Sequence, residues 1–461
     1  MVNIMEMIER LAFYGVRVVI PIYIAQADEP GGLHFTQIDK GTIFLWWAVV
    51  QSLVPMFSGG FADRYGYKKT IAASVTIKII GYLLMATQRD FLPFLIGCCV
   101  LAFGTAIFKP GVQGTMGRCL TKDNSAVGWG AFYMLVNIGG FLGPPLAHFM
   151  YGISWAAVFY GCAAIVSLNY LMLFTYKEVP SGTTDGGPMR VFVTTFRNLW
   201  NLRLLLFIAI MSGFWLVLMQ LFDMLPNFIV DWIDSSTLVT TFHLPEWMLQ
   251  QNSLRGPQIA QEWLINANGG LIVVSMLLVA YLFSRIPRVA SISLGTLIGS
   301  VGLMLAGFFT SGTLCLMGIA VFTLGEMLAS PKMNEYLAVI APPGQSGLYQ
   351  GYSQIPVAIG WGYGSFLGGQ TYDQLGDKAN LALNYLRDNY QILDVPRTTA
   401  MQKLCEVTGK DYSTVTDLLW STYHPGELWY RFAAIGVVSA IAMYFYGRWV
   451  ARRFPASIAS D

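Results

Sequence analysis

Glu6-Met7-Ile8-Glu9-Arg10-Leu11-Ala12-Phe13-Tyr14-Gly15-Val16-Arg17 places four charged side chains inside an otherwise apolar run. In a bilayer such charges are costly, and by default they mark a functional site. At about 100° per residue on a helix, Glu6, Glu9, Arg10, Phe13, Tyr14 and Arg17 share one arc of roughly 140°. One face is then a polar ladder, and the other meets lipid or packed neighbours. Glu6 and Arg10 stand at i,i+4, so each offsets the burial cost of the other. The simpler reading is an ion pair that only holds helices together. Such a pair has no need of a third and fourth charge on the same face.

The rest of the chain fits a membrane setting. Of 461 residues, 55% are hydrophobic and 12% charged, and the mean hydropathy is +0.52. A soluble domain carries about twice that charge fraction. The net charge of +2 selects no partner, and no basic tract suited to nucleic acid is present. Cys98, Cys99, Cys119, Cys162, Cys315 and Cys405 are scattered rather than framed for disulfides. His34, His148, His243 and His424 have no metal-ligand spacing. No cleavable signal peptide is visible, because the first helix begins at once and carries charge. The composition describes a polytopic all-α membrane protein.

With about 20 apolar residues needed per span, the sequence predicts about twelve transmembrane helices. They run roughly over 3–26, 40–62, 69–88, 91–115, 126–150, 153–176, 203–230, 259–284, 289–310, 313–340, 346–371 and 427–449. Lys and Arg concentrate in one set of connections: Arg64, Lys68 and Lys69; Arg118 and Lys122; Lys177, Arg190, Arg197 and Arg203; Arg285 and Arg288; and Arg448, Arg452 and Arg453. The opposite loops offer little beyond Lys40, Arg89 and Arg255, so both termini are expected in the cytoplasm. The segment 177–202 reads as a cytoplasmic linker between an N-terminal six-helix bundle (1–176) and a C-terminal one (203–461). Its end, Arg190 to Trp200, is either a short interfacial helix or a lead-in to the seventh span. Two outward insertions, about 231–258 and 372–426, interrupt the second bundle, and the latter predicts helical pieces over 378–393, 397–408 and 413–422.

Gly59-Gly60-Phe61-Ala62-Asp63-Arg64-Tyr65-Gly66-Tyr67-Lys68-Lys69 follows the second span. Its glycines allow close helix approach, and Asp63 with Arg64, Lys68 and Lys69 can form a breakable charge latch. This stretch resembles the loop between helices 2 and 3 of the major facilitator superfamily. Glu6-x-x-Glu9-Arg10-x-x-Phe13-Tyr14-Gly15 then resembles the signature of the proton-coupled oligopeptide transporter family within that superfamily. Phe108-Lys109-Pro110 looks like that family's membrane-embedded lysine, and Phe132 to Gly139 is similar to its second signature. Gly325-Glu326-Met327-Leu328-Ala329-Ser330-Pro331 resembles its helix 10 pattern. At 1.5 Å rise per residue, Asn137 and Glu326 fall near the midplane, where transporters place substrates. Lys109 reaches roughly the depth of the Glu6–Arg10 cluster.

The resemblance implies an alternating-access symporter of di- and tripeptides or peptide-like zwitterions, driven by the proton gradient and needing no cofactor or metal. It implies that Glu6, Glu9, Arg10 and Lys109 couple the proton. Arg17 and Lys109 would attract the peptide carboxylate and Glu326 the amine. Tyr14, Asn137 and Asn266 would add polar contacts, and Trp215 and Trp361 would line side-chain pockets. Each of these has a plainer alternative: a snorkelling Lys109, a structurally paired Glu326, an interhelical Asn137, or tryptophans packed as core. A monomer in the bacterial inner membrane is expected.

This sequence also departs from the family pattern. The helix 7 glutamate expected four residues after Trp215 is replaced by Met219, followed by Gln220. Asp223, one turn further on, either substitutes for it or, the favoured reading, is a solvated residue at the mouth of the pathway. Asn266-Ala267 stands where Asn-Pro is usual, Phe13 replaces a tyrosine, and the tyrosine expected near Gln51-Ser52 is absent. These changes surround the pocket, which keeps open a carrier for another anion or drug-like solute. The large outward insertions leave a non-transporting receptor as a further alternative, although a receptor has no use for a protonatable intramembrane cluster. An enzyme would need a nucleophile–base pair or a metal cluster, and neither is present at common depth.

Overall fold

The computed structural model describes all residues except 56–57, 59–61, 63, 121–124, 179–200, 251–252, 342–348, 350 and 455–461. The first half comprises α1 (Val2–Ala25), α2 (Gln37–Leu53), α3 (Tyr67–Thr87), α4 (Phe91–Cys119), α5 (Ser125–Tyr151) and α6 (Trp155–Phe174). The second comprises α7 (Leu202–Asp223), α8 (Leu225–Trp232), α9 (Ser236–Phe242), α10 (Gln261–Leu282), α11 (Arg288–Phe308), α12 (Gly312–Ile340), α13 (Gln354–Leu375), α14 (Lys378–Tyr390), α15 (Ala400–Thr408), α16 (Tyr412–Tyr423) and α17 (Trp429–Arg453).

Among the described residues, eight helices are long and apolar enough to cross a membrane by length and composition: α3, α4, α6, α7, α10, α11, α12 and α17. The other long helices are α1, α2, α5 and α13, of which α2 is described over only 17 residues. α1 carries its four charges, α2 holds Asp39 and Lys40 in its first turn, α5 holds Asn137, Pro144, Pro145 and His148, and α13 is rich in glycine. These are also the helices that meet at the centre: α1 packs on α5, and α2 packs on α13 of the other half. The α1 charges Glu6, Glu9, Arg10 and Arg17, with Lys40 of α2 and His148 of α5, are buried there.

Small residues let these pairs touch. A Cβ on Gly143 would stand 2.7 Å from the Gly15 amide, and one on Gly369 would stand 2.5 Å from the Gln37 carbonyl. Side chains there would force α1 from α5, and the two halves apart. The seventh span is two segments, since α7 ends at Asp223 and α8 begins at Leu225 with Met224 between them and Pro226 in the first turn of α8. The insertion after α13 folds into α14, α15 and α16, whose N-termini are capped at α14 by Asp377 and at α16 by Asp411.

Candidate functional site

The charges of α1 converge as their helical arc requires. Arg10 Nε donates to Glu6 Oε1 at 3.0 Å, and Arg10 Nη2 lies 2.7 Å from Glu9 Oε2. All three side chains are buried. Glu9 has a second cation, Lys78 of α3, at 3.5 Å. The sequence reading missed Lys78, although it is a charged residue inside the apolar run 69–88 and the rule applied to α1 would have flagged it. Lys109 of α4 is half-buried and lies within electrostatic reach of Glu6, Glu9 and Arg10. Among the described residues it forms no ion pair.

Further from the termini, Arg17 pairs with Asp223 of α7, so one buried charge from each half meets the other. Arg17 also donates to the Phe222 carbonyl at 3.2 Å. Its guanidinium sits 4.8 Å from the Phe44 ring centroid and 5.2 Å from that of Trp361. Asp223 accepts from Trp361 Nε1 at 3.1 Å and from the Ser365 hydroxyl. The expectation that Asp223 is a solvated mouth residue is therefore incorrect: it is 3% exposed and fully engaged. Asp223, one turn beyond Met219, is the counter-charge of Arg17 at that depth. Trp361 packs on this pair.

Glu326 of α12 accepts from Asn268 Nδ2 at 2.8 Å, and among the described residues it has no ion pair. It lies within electrostatic reach of Tyr14 and Tyr133 in the other half. Tyr14 packs edge-on against Phe13. Asn266 spans the halves by donating to the Phe141 carbonyl at 2.9 Å. Asn137 is satisfied within its own helix by the Tyr133 carbonyl at 2.8 Å. Trp215 directs its indole N–H to the Met333 sulfur at 3.4 Å. Of the latch residues, Asp63 lies outside the described residues. Arg64 and Lys69 are exposed, whereas Lys68 donates to the Tyr176 carbonyl at 2.8 Å beyond the end of α6.

On the face away from the termini, a polar network unseen in the sequence closes the halves together. Lys40 donates to Asn227 at 2.7 Å, and Gln26 donates to Asp231 at 2.9 Å. Asp231 also accepts from Tyr372 at 2.6 Å. Gln37 donates to Asp377 at 2.9 Å. Arg397, from the insertion, reaches the Ala25 carbonyl at 2.8 Å, the Phe35 carbonyl at 3.1 Å, and Asp377. Tyr412 donates to Asp28 at 3.1 Å. Burial pushes the Lys378 ammonium below its usual range, against the pull of Asp231 and Asp28. A separate cavity of about 400 Å³ is lined by Glu29, Tyr151, Trp155, Gln261 and Glu262, among others. Burial raises the Glu29 carboxyl to about 7, opposed by the Trp155 N–H and reinforced by Asp28 and Glu262.

A chain whose long helices enclose buried, unequally paired charges between two halves, closed on one face, has the build of a membrane transporter. The family model described as Major Facilitator Superfamily matches residues 2–365, and the chain belongs to that superfamily. It is not an enzyme. Among relatives, it is 24% identical to the multidrug resistance protein MdtH of Yersinia pestis (strain Pestoides F) over 334 residues, 70% of this chain and 75% of that one. It is 32% identical to the uncharacterized transporter YclF of Bacillus subtilis (strain 168) over 145 residues, which is 30% of this chain and spans only 29% of that protein. Its fold matches a POT family transporter in complex with 5-aminolevulinic acid, with TM-score 0.68 and 14% identity, covering 96% of this chain and 95% of that one. It likewise matches a peptide transporter POT in complex with alafosfalin, with TM-score 0.69 and 15% identity, covering 99% and 94%.

Proposed function

We propose that this chain is a proton-coupled symporter that imports di- and tripeptides, or peptide-like zwitterions, by alternating access. The observation that carries this reading is a charge asymmetry between the halves. Among the described residues, Lys109 in the first half is a cation without an ion-pair partner, and Glu326 in the second is a carboxylate supported by Asn268. Arg17 and Asp223 neutralise each other and leave those two ends for a ligand. A zwitterion satisfies both, its carboxylate at Lys109 and its amine at Glu326.

Apart from the Asn266 bond to the Phe141 carbonyl, the cross-half bonds described above cluster away from the termini, at and beyond the level of Arg17. This is the arrangement expected of a carrier open toward the side of its termini, which we assign to the cytoplasm of a bacterial inner membrane. Glu6, Glu9 and Arg10 supply protonatable charge beside Lys109. A substrate carboxylate arriving there competes for the cations and favours protonation of a glutamate. The likeness to MdtH and the altered residues near Met219 and Ala267 favour one second reading, a carrier of drug-like solutes. Uptake of labelled dipeptides by purified protein in liposomes, with and without an imposed pH gradient, tests the proposal. Gradient-dependent accumulation is expected, and accumulation of drug-like cations alone would replace the peptide reading.

A further inference from the structure

Lys78 is 1% exposed in the middle of α3. Its ammonium lies 3.5 Å from Glu9 Oε1 and 3.7 Å from the centroid of the Phe108 ring. Room for its stem is made by Gly104, where a Cβ would approach Lys78 Cγ to 2.7 Å. Burying an ammonium costs several kcal/mol unless a partner repays it. A residue that only filled this space would serve better as leucine or methionine.

The pairing within the cluster is unequal. Glu9 lies within ion-pair distance of two cations, Arg10 at 2.7 Å and Lys78 at 3.5 Å. Glu6 pairs with Arg10 through one oxygen and lies within electrostatic reach of Glu9, Lys109 and Lys78 without an ion pair to them; among the described residues its Oε2 has no hydrogen-bond partner. The Glu9 contacts are out of hydrogen-bond alignment, so what they supply is charge rather than a directed bond. Neutralising Glu9 would strand Lys78 in an apolar wall. Neutralising Glu6 would strand neither cation, because Arg10 keeps Glu9. The other titratable or charged groups facing Glu9 are Glu6, Arg10 and Tyr14 on α1, Tyr82 beside Lys78 on α3, and Lys109 on α4.

We propose that Lys78 is a positioning residue that holds Glu9 ionised, and thereby makes Glu6 the carboxylate that takes up and releases the transported proton. This rests on the proton-coupled reading above. Uptake forms one O–H bond on Glu6 from a proton delivered by water, and release reverses it. Glu9 stays an anion throughout and anchors Arg10 while Glu6 is neutral.

The test is gradient-driven uptake by the full chain in liposomes, read as the pH of half-maximal transport. Lys78→Met should move that midpoint to higher pH by about one unit, since an unanchored Glu9 then also takes a proton. Lys78→Arg should restore it. In a Glu9→Gln background, Lys78→Met should add no further shift, as expected when one residue acts through the other. Glu6→Gln should lose accumulation and keep counterflow. If Lys78→Met alone does not survive purification, recovery in the Glu9→Gln/Lys78→Met double variant supports the pairing, and no recovery overturns it. A gradient-driven parent protein whose midpoint is unmoved by Lys78→Met, or whose Glu6→Gln variant accumulates normally, overturns the assignment. A parent protein indifferent to the gradient removes the proton-coupled reading itself, and this proposal with it.

Discussion

Arg17 of α1 and Asp223 of α7 form a buried ion pair that joins the two halves of the molecule, with Trp361 and Ser365 of α13 bonded to the same carboxylate. Two charges taken out of water at the interface between the halves hold it only while each has the other. Asp223→Asn leaves Arg17 buried without a counter-ion, a loss of about 3–5 kcal/mol for the closed arrangement. Spin labels at the exposed positions Asp90 and Leu393, in opposite halves, should then report a longer mean separation. An unchanged distance distribution would show that the pair does not hold this face closed.

The insertion carrying Arg397 clasps the first half from outside. Arg397→Ala deletes bonds to the Ala25 and Phe35 carbonyls and takes the guanidinium from Asp377. Hydrogen bonds to charged groups are worth about 1.5–3 kcal/mol each at most, and the loss is partly made good by water. A fall in thermal midpoint is expected, together with the same lengthening between the label positions. Stability equal to the parent protein would make the insertion a passive cap.

Glu29 gives a pH dependence with a definite sign. Its carboxyl is held at about 7 in the folded protein, above the ordinary glutamate value near 4.3. The folded state therefore binds this proton more tightly than the unfolded chain does. The contribution is fully present below about pH 4 and is lost as the pH rises through about 7. Thermal unfolding should show this component of stability falling from pH 5 to pH 8, by roughly 1–3 kcal/mol after allowance for its partial exposure. Glu29→Gln should flatten that decline. An equal decline in the variant would assign it to other groups.

The sequence made the helical membrane class, the superfamily and the α1 cluster legible, because intramembrane charge and signature spacing are local properties. What it hid was partnership. Asp223 looked like a residue of the mouth because its neighbours along the chain are apolar, and only the fold brings Arg17 to it. Lys78 was overlooked within an apolar run, although its isolation was itself the signal. Asn268, Lys40, Asn227 and Asp231 find their roles only where helices distant in sequence meet. The expected second span over 40–62 and the described helix Gln37–Leu53 differ at their starts, because the Thr36–Asp39 capping box begins α2 before the hydrophobic run.

The last prediction concerns the ligand's two ends. Lys109 belongs to the first half and Glu326 to the second, so a bound zwitterion would neutralise both and draw the halves together. If the amine is blocked, the half-buried Glu326 is left with Asn268 as its described partner, a penalty of about 1–3 kcal/mol for a charged group closed off from water. N-acetylated dipeptides should therefore bind about ten-fold or more weakly than free ones, at about 1.4 kcal/mol per decade. Glu326→Gln should shrink that difference, because it removes the charge that the acetyl group fails to satisfy. Asp223 does not compensate, since it is already held by Arg17, Trp361 and Ser365. The measurement is binding affinity for matched free and acetylated dipeptides in the parent protein and the variant. Equal affinity for both peptides in the parent protein would dismantle the clamp, and a carrier for a plain anion would then account better for Lys109.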